Sequence, residues 1–308
     1  FEVPSDLVNP VGTLMKSGTS YYFFAMTPIG LQSQLVEVTA DGQLGQIVEV
    51  GGSYPASSAM DGNNFLLLSY DHQDKESIVT TISPAGAIVQ GPKGFSIGAG
   101  DAVEEPIINH FLKTGKQFPF RVGKSGNQYF FNGFYNYTFS LVFSDLSDAE
   151  PAVIQGNQDD GGFSEVQPLG GNIFAAARFN FGDNYILPRV TLNTTGISSS
   201  VDLGGNVMPE LIANAPIKVI QMSVNSSERL IYGSTTEGRQ IGLFAYDLAT
   251  GEFLGSKYLG FSNAFEMSSM TPTSDGGLVV CGTTYMAGRF PRIVIFKLSP
   301  ENLKEAFQ

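Results

Sequence analysis

Ser274-Asp275-Gly276-Gly277, then the strand-forming run Leu278 to Thr283, an irregular loop, a second run Arg292 to Leu298 and the turn Ser299-Pro300-Glu301-Asn302 form the phrase that decides the fold. Its order is turn, strand, loop, strand, turn. Earlier copies pivot at Lys16-Ser17-Gly18, Asp61-Gly62-Asn63-Asn64, Lys124-Ser125-Gly126-Asn127, Gly170-Gly171-Asn172 and Asn225-Ser226-Ser227. The anchors of these units lie roughly 45 to 65 residues apart, the spacing of a radial array whose repeats bury their apolar faces against one another.

Each unit supplies four candidate strands. In the last, Glu266 to Thr273 is polar-leaning and Leu278 to Thr284 is apolar and β-branched. Arg292 to Leu298 alternates Ile293, Ile295 and Lys297 with Val294, Phe296 and Leu298, and Leu303 to Phe307 is the expected fourth strand. The continuous apolar run of the second strand predicts burial on both faces, with the third nearly as buried. In the fourth unit the strands are read over Glu165 to Pro168, Ile173 to Ala177, Arg189 to Leu192 and Ser199 to Leu203. Turns such as Ala40-Asp41-Gly42, Pro84-Ala85-Gly86 and Ala249-Thr250-Gly251 place Gly where a tight hairpin needs positive φ, so the Asp-Gly pairs carry no chemistry. The expected fold is all-β, a six-bladed β-propeller of four-stranded antiparallel blades, with seven blades as the alternative. It forms one domain over residues 1–308, with residues 91–119 as an excursion between the second and third blades.

Composition bounds the partners. The chain of 308 residues is 42% hydrophobic and 15% charged, and its 36 Gly and 16 Pro suit many short strands joined by tight turns. A formal charge of −12, with 17 Lys and Arg against 29 acids, argues against nucleic acid and anionic membrane surfaces. No apolar run is long enough for a transmembrane segment. The chain opens Phe1-Glu2-Val3-Pro4 without Met, as expected of a processed, exported protein. Its single cysteine, Cys281, sits in Leu278-Val279-Val280-Cys281 and is expected to be a buried structural thiol. Glycosylation sequons begin at Asn136, Asn193 and Asn225, and matter only in a eukaryotic secretory setting.

The stretch Thr273 to Thr284, followed by Ile293-Val294-Ile295-Phe296-Lys297-Leu298, resembles the DGG-strand-G-loop-strand-KL phrase of β-propeller repeats in secreted bacterial proteins, many of them lipoproteins. The resemblance is strong in this unit and degenerate in the others. It implies a propeller and an extracytoplasmic location, periplasmic or at the cell surface, with a lipid anchor ahead of Phe1 if the source is bacterial. It carries no catalytic residue across.

Because the strands alternate in direction, the second-to-third loops share one side, and these are the longer loops on which binding residues usually sit. They hold the aromatics Tyr70, Phe134, Tyr135, Tyr137, Phe179, Phe181, Tyr185, Tyr285 and Phe290, together with Arg178, Arg239 and Arg289. Aromatic faces beside guanidinium forks can stack on a ring and pair with a carboxylate or phosphate. The ligand-binding candidates are therefore Tyr70, Asp71, His72, His110, Tyr135, Tyr137, Arg178, Phe179, Asp183, Arg239, Tyr285 and Arg289. The competing reading packs the aromatics between blades, with Arg covering them.

His72 and His110 are the only histidines, and no metal-ligand spacing accompanies them, so neither a metal nor a cofactor is expected. Asp71, Asp74 and Glu76 around His72 read equally as a solvated acidic loop. The long connection Gly91 to Pro119 predicts a short helix or ordered flap over the loop-rich side.

The expected function is a non-enzymatic extracytoplasmic propeller that engages a glycan, an anionic small molecule or a protein. The alternative is a carbohydrate-active hydrolase or lyase drawing on Asp71, His72, Glu104, Glu105, His110, Asp183 and Tyr135. A third reading is a structural assembly subunit.

Overall fold

A computed structural model describes residues 2–98, 101–285 and 290–307. The chain is an all-β, six-bladed propeller whose contacts divide it into two compact units, Phe1–Asp159 with Asn193–Ser198, and Asp160–Leu192 with Ser199–Gln308.

In the first unit, blade one is β1 (Val8–Ser17), β2 (Ser20–Met26), β3 (Gln32–Val38) and β4 (Leu44–Ser53). Blade two is β5 (Pro55–Asp61), β6 (Asn64–Asp71), β7 (Glu76–Ile82) and β8 (Ile88–Ser96), and is followed by helix α1 (Asp101–Leu112). Blade three is β9 (Arg121–Ser125), β10 (Gln128–Tyr135), β11 (Thr138–Ser144) and β12 (Ala152–Gln155). In the second unit, blade four is β13 (Gly161–Gly170), β14 (Ile173–Asn180) and β15 (Asp183–Thr191); beyond β16 (Ile197–Ser199), which pairs elsewhere, it is completed by β17 (Asn206–Val207). Blade five is β18 (Lys218–Val224), β19 (Ser227–Thr235), β20 (Ile241–Asp247) and β21 (Phe253–Leu259). Blade six is β22 (Ala264–Pro272), β23 (Leu278–Tyr285) and β24 (Arg292–Leu298), and the chain then enters helix α2 (Pro300–Ala306).

Alternation along each strand builds the core, because successive side chains of a strand point to opposite faces of its sheet. On β2, Tyr22 and Phe24 join Phe65 and Leu67 of β6, whereas Phe23 and Ala25 pack with Leu7 and Val36 in a separate cluster. In the second unit, Ala175 and Ala177 of β14 pack with Tyr232 of β19. Ile231 and Leu243 of blade five meet Leu278 and Val280 of blade six. Fully burying a side chain of this size contributes about 1.5–3 kcal/mol, and the six sheets repeat that gain along every interior strand.

Four sequence expectations are corrected. Ser199 to Leu203 is not the fourth strand of blade four. Residues 197–199 form β16 on the free edge of β12, next to the bond from Val153 N–H to the Gly196 carbonyl (3.0 Å), while Ser200–Leu203 closes into a 3-10 turn. Gly204 (φ 63°) and Gly205 (φ 119°) then turn the chain to β17, which pairs Val207 with Tyr185 and Asn206 with Ile186.

Leu303 to Phe307 is likewise not a strand. Ser299 caps a helix, its hydroxyl accepting from Asn302 N–H, with Pro300 in the first turn. Blade six consequently has three strands among the described residues.

Its outer strand is also not the buried one expected, since Ile293 is 80% and Ile295 66% exposed. On β23, Leu278 and Val280 are buried but Val279 and Cys281 only partly so. Only one face of these strands packs against blade five, so they behave as half-covered strands and Cys281 is a half-buried thiol.

Candidate functional site

The connection after blade two contains the expected helix. On α1, Glu104, Ile107 and Phe111 are the buried residues, at the i, i+3, i+7 spacing of one helical face. Phe111 lies 4.9 Å from the Tyr54 ring and stacks with Phe120 at 6.0 Å, and its carbonyl accepts from Asn9 Nδ2 at 3.0 Å.

Glu104 is the polar member of this stripe, only 7% exposed, and a buried carboxylate needs donors. It has three. The Tyr70 hydroxyl donates at 2.6 Å and His72 Nδ1 lies 2.5 Å away, both on Oε1, while Lys75 Nζ is 3.2 Å from Oε2. Tyr70 ends the apolar run of β6, and His72 and Lys75 belong to the β6–β7 loop, so one hairpin supplies every donor. Burial alone would push the Glu104 carboxyl up; the bonds from Tyr70, His72 and Lys75 outweigh it and hold the group below its ordinary range. Burial, and then the bond to Glu104, push the Tyr70 hydroxyl far above its usual range, so it stays a neutral donor. The bond to Glu104 raises Lys75, which therefore keeps its charge.

His72 is 62% exposed at the side chain although its Nδ1 is tied to a buried acid. A carboxylate that accepts from Nδ1–H fixes the tautomer and leaves the Nε2 lone pair available, the arrangement that prepares an imidazole to take up a proton.

The neighbouring candidates have other duties. The Asp71 carboxylate accepts the N–H groups of Gln73 (2.7 Å) and Asp74 (3.0 Å) and shapes the turn. His110 packs among Phe111, Phe118 and Phe120, its Nδ1 accepting from Phe118 N–H at 3.0 Å; burial, then nearby Lys113, brings it down to about 4, so it is a neutral ring. Tyr135 is half-buried against Phe95. Tyr137 is exposed and, with Ala102, Val103, Pro106, Phe134, Gln158 and Asp159, lines a cleft of about 250 Å³ beside α1. Glu105 is exposed on the helix.

In the second unit, Arg178 is 4% exposed. Its Nε donates to the Gly204 carbonyl at 2.8 Å and its guanidinium stacks 3.8 Å from the Tyr185 ring. It is a fastening within blade four. Phe179 is buried and Asp183 lies exposed at the start of β15. Arg239 and Tyr285 are brought together by a residue sequence reasoning passed over: Glu266 Oε1 accepts from Arg239 Nη1 at 2.7 Å and its Oε2 from the Tyr285 hydroxyl at 3.0 Å. All three are substantially exposed. Arg289 lies outside the described residues.

Sequence reasoning also missed Lys75 and Tyr54, and treated Glu104 only as one acid among several. The local signal was a Lys inside the acidic Asp71 to Glu76 loop; its partner lies on another element, and no periodicity reports that. Among the described residues, no cluster of three or more His, Cys, Asp or Glu could hold a metal ion, and no helix is long and apolar enough to cross a membrane.

No family model matches the chain, and no curated protein matches it. Solved structures do. The chain is similar to the periplasmic gluconolactonase of Pseudomonas aeruginosa, with a TM-score of 0.52 and 11% identity over 91% of this chain and 82% of that one. A Bacteroides uniformis protein assigned provisionally as a 6-phosphogluconolactonase gives a TM-score of 0.51 and 13% identity, covering 94% and 85%. AofleA of Arthrobotrys oligospora gives 0.51 and 11%, covering 96% and 84%. At these identities the likeness defines the class, a β-propeller, and nothing narrower.

Proposed function

We propose that the chain is a propeller hydrolase that opens a sugar-derived lactone or ester, with the His72–Glu104 pair as its proton-transfer element. The observation that carries this reading is the buried Glu104, gripped by Tyr70, His72 and Lys75, beside a largely exposed His72 ring. In the proposed step His72 Nε2 takes a proton from water as the water oxygen bonds to the lactone carbonyl carbon. The resulting oxyanion collapses, the ring C–O bond breaks, and the imidazolium returns its proton to the departing alkoxide. Glu104 remains ionised throughout and stabilises the imidazolium.

Two of the structural neighbours bear gluconolactonase names, which supports the substrate class by analogy of fold alone. Glycosidic cleavage by two opposed carboxylates is less well supported, because Asp71 is committed to its turn and Asp183 belongs to the other unit. The test is ring opening of δ-gluconolactone followed by pH-stat, with an aryl glucoside as the contrast. Lactone opening faster than the buffer blank, with the glucoside untouched, is the expected result; opening at the blank rate would overturn the proposal.

A second reading, binding without turnover, is favoured by the exposed Arg239–Glu266–Tyr285 cluster on the loop-bearing side of blades five and six, which offers a guanidinium and a phenol to a glycan or an anion. We infer an extracytoplasmic setting for either reading from the resemblance of the repeat phrase to secreted propellers.

A further inference from the structure

The side of blades four and five that carries the first-to-second and third-to-fourth strand turns holds a cleft of about 600 Å³. Its walls come from five strands and a turn: Leu169 at the end of β13, Arg189 on β15, Gln221 on β18, Ser227 to Arg229 opening β19, Asp247 ending β20, and Leu248 and Ala249 in the turn that follows. The volume falls within the range of small-molecule sites, about 300–1,000 Å³.

Two acids and two guanidiniums line it, and the acids are already engaged. Asp247 Oδ1 accepts the N–H groups of Ala249 and Thr250, both at 2.9 Å, and the Thr250 hydroxyl at 3.2 Å; its Oδ2 accepts from Arg229 Nη1 at 2.6 Å. Glu228 Oε2 accepts from Gln221 Nε2 at 3.1 Å. The cations retain unused capacity. Arg189 is exposed and, among the described residues, makes one bond, to the Leu248 carbonyl at 3.3 Å. Arg229 spends Nη1 on Asp247 and the Glu228 carbonyl, and its buried Nε has no partner among the described residues. Ser227 lines the same space. The two guanidiniums balance the two acids, so the cleft is locally neutral in a chain whose net charge is −12, and Arg189 is its exposed cation.

We propose that this cleft binds a sugar-sized organic anion, its carboxylate or phosphate group held by Arg189, Arg229 and Ser227. Guanidinium forks match the geometry of both oxyanions, and a hexose-sized body fits the remaining volume. The site stands independently of the His72 reading, since it lies in the other unit and uses none of its residues.

Isothermal titration of the full chain with gluconate, glucose 6-phosphate and uncharged glucose tests it. Either anion alone, or both, should bind while glucose does not, and which anion binds identifies the headgroup. Arg189→Gln should weaken binding about tenfold or more, the effect of removing one charge-assisted hydrogen bond. Arg229→Lys keeps the charge but loses the fork and should also weaken it. Lys304→Gln makes the same charge change on helix α2, outside the cleft, and should leave affinity within about twofold, because an exposed surface charge is largely screened. Circular dichroism confirms that the variants fold. Absence of binding by both anions, equal binding of glucose, or equal losses in Arg189→Gln and Lys304→Gln would overturn the proposal.

Discussion

The Tyr70 hydroxyl donates to Glu104 Oε1 at 2.6 Å, and through that bond the end of β6 grips the buried face of helix α1. A carboxylate is costly to bury, but an apolar residue at position 104 would leave the Tyr70 hydroxyl without its acceptor. Placing a carboxylate there binds the helix to the hairpin through directional contacts and orients His72 at the same time.

Removing the acid should loosen the helix. Glu104→Ala leaves the Tyr70 hydroxyl buried without its acceptor and is expected to cost about 2–3 kcal/mol in urea unfolding, whereas Tyr70→Phe removes one donor of three and costs about 1 kcal/mol. The Glu104 carboxyl is held below its ordinary value, so its contribution is present above the unfolded value and is lost as pH falls through the lower folded one. An unchanged midpoint for Glu104→Ala would mean that the apolar contacts of Ile107 and Phe111 hold α1 unaided.

His110 should make the fold acid-sensitive before the carboxylates do. Its ordinary value of 6.5 is lowered to about 4 by burial among Phe111, Phe118 and Phe120. Below about 6.5 the unfolded chain takes up a proton that the folded chain refuses, so stability falls between about 6.5 and about 4, by at most ~3 kcal/mol. His110→Phe should flatten the thermal midpoint across that window, and an identical slope in the variant would contradict the assignment.

Arg178 should matter to stability and not to ligands. Arg178→Ala loses the Gly204 bond and the stacking on Tyr185 and is expected to cost about 2–4 kcal/mol. Binding of any ligand, measured on the folded fraction, should stay within about twofold, as befits a residue the structure buries.

Blade six separates covered from uncovered positions within one strand. Ile295→Lys, at an exposed site, should change stability by no more than about 0.5 kcal/mol, whereas Leu298→Ala, in the core shared with blade five, should cost about 2–5 kcal/mol. A large loss for Ile295→Lys would show that this face is covered in solution.

Most of the fold was legible because period-2 alternation and turn residues are local signals, and Phe23 and Phe24 can be sorted to opposite faces from the sequence alone. The misreadings have particular causes. Leu303 to Phe307 has the length and apolarity of a strand, yet Ser299-Pro300-Glu301 ahead of it carries the hydroxyl cap, first-turn proline and acid of a helix start, and these outweigh it. In Ser199 to Leu203, Ser199 ends β16 on the edge of blade three, and the two glycines that follow Leu203 close the rest as a turn. The site was harder to read. Tyr70 and His72 were visible as loop residues, but Glu104 lies 34 and 32 positions away from them, and only the folded chain shows that it joins them. The same long-range pairing hid Glu266 between Arg239 and Tyr285.

Lactone opening as proposed depends on His72 as the base that Glu104 orients. The decisive measurement is kcat/KM for opening of δ-gluconolactone by the wild-type chain and by His72→Gln, each corrected for the spontaneous rate. A loss of about 10²–10⁴ carried by kcat, with KM nearly unchanged, is the predicted result. Equal rates in the two proteins, or no wild-type rate above the spontaneous one, would contradict it.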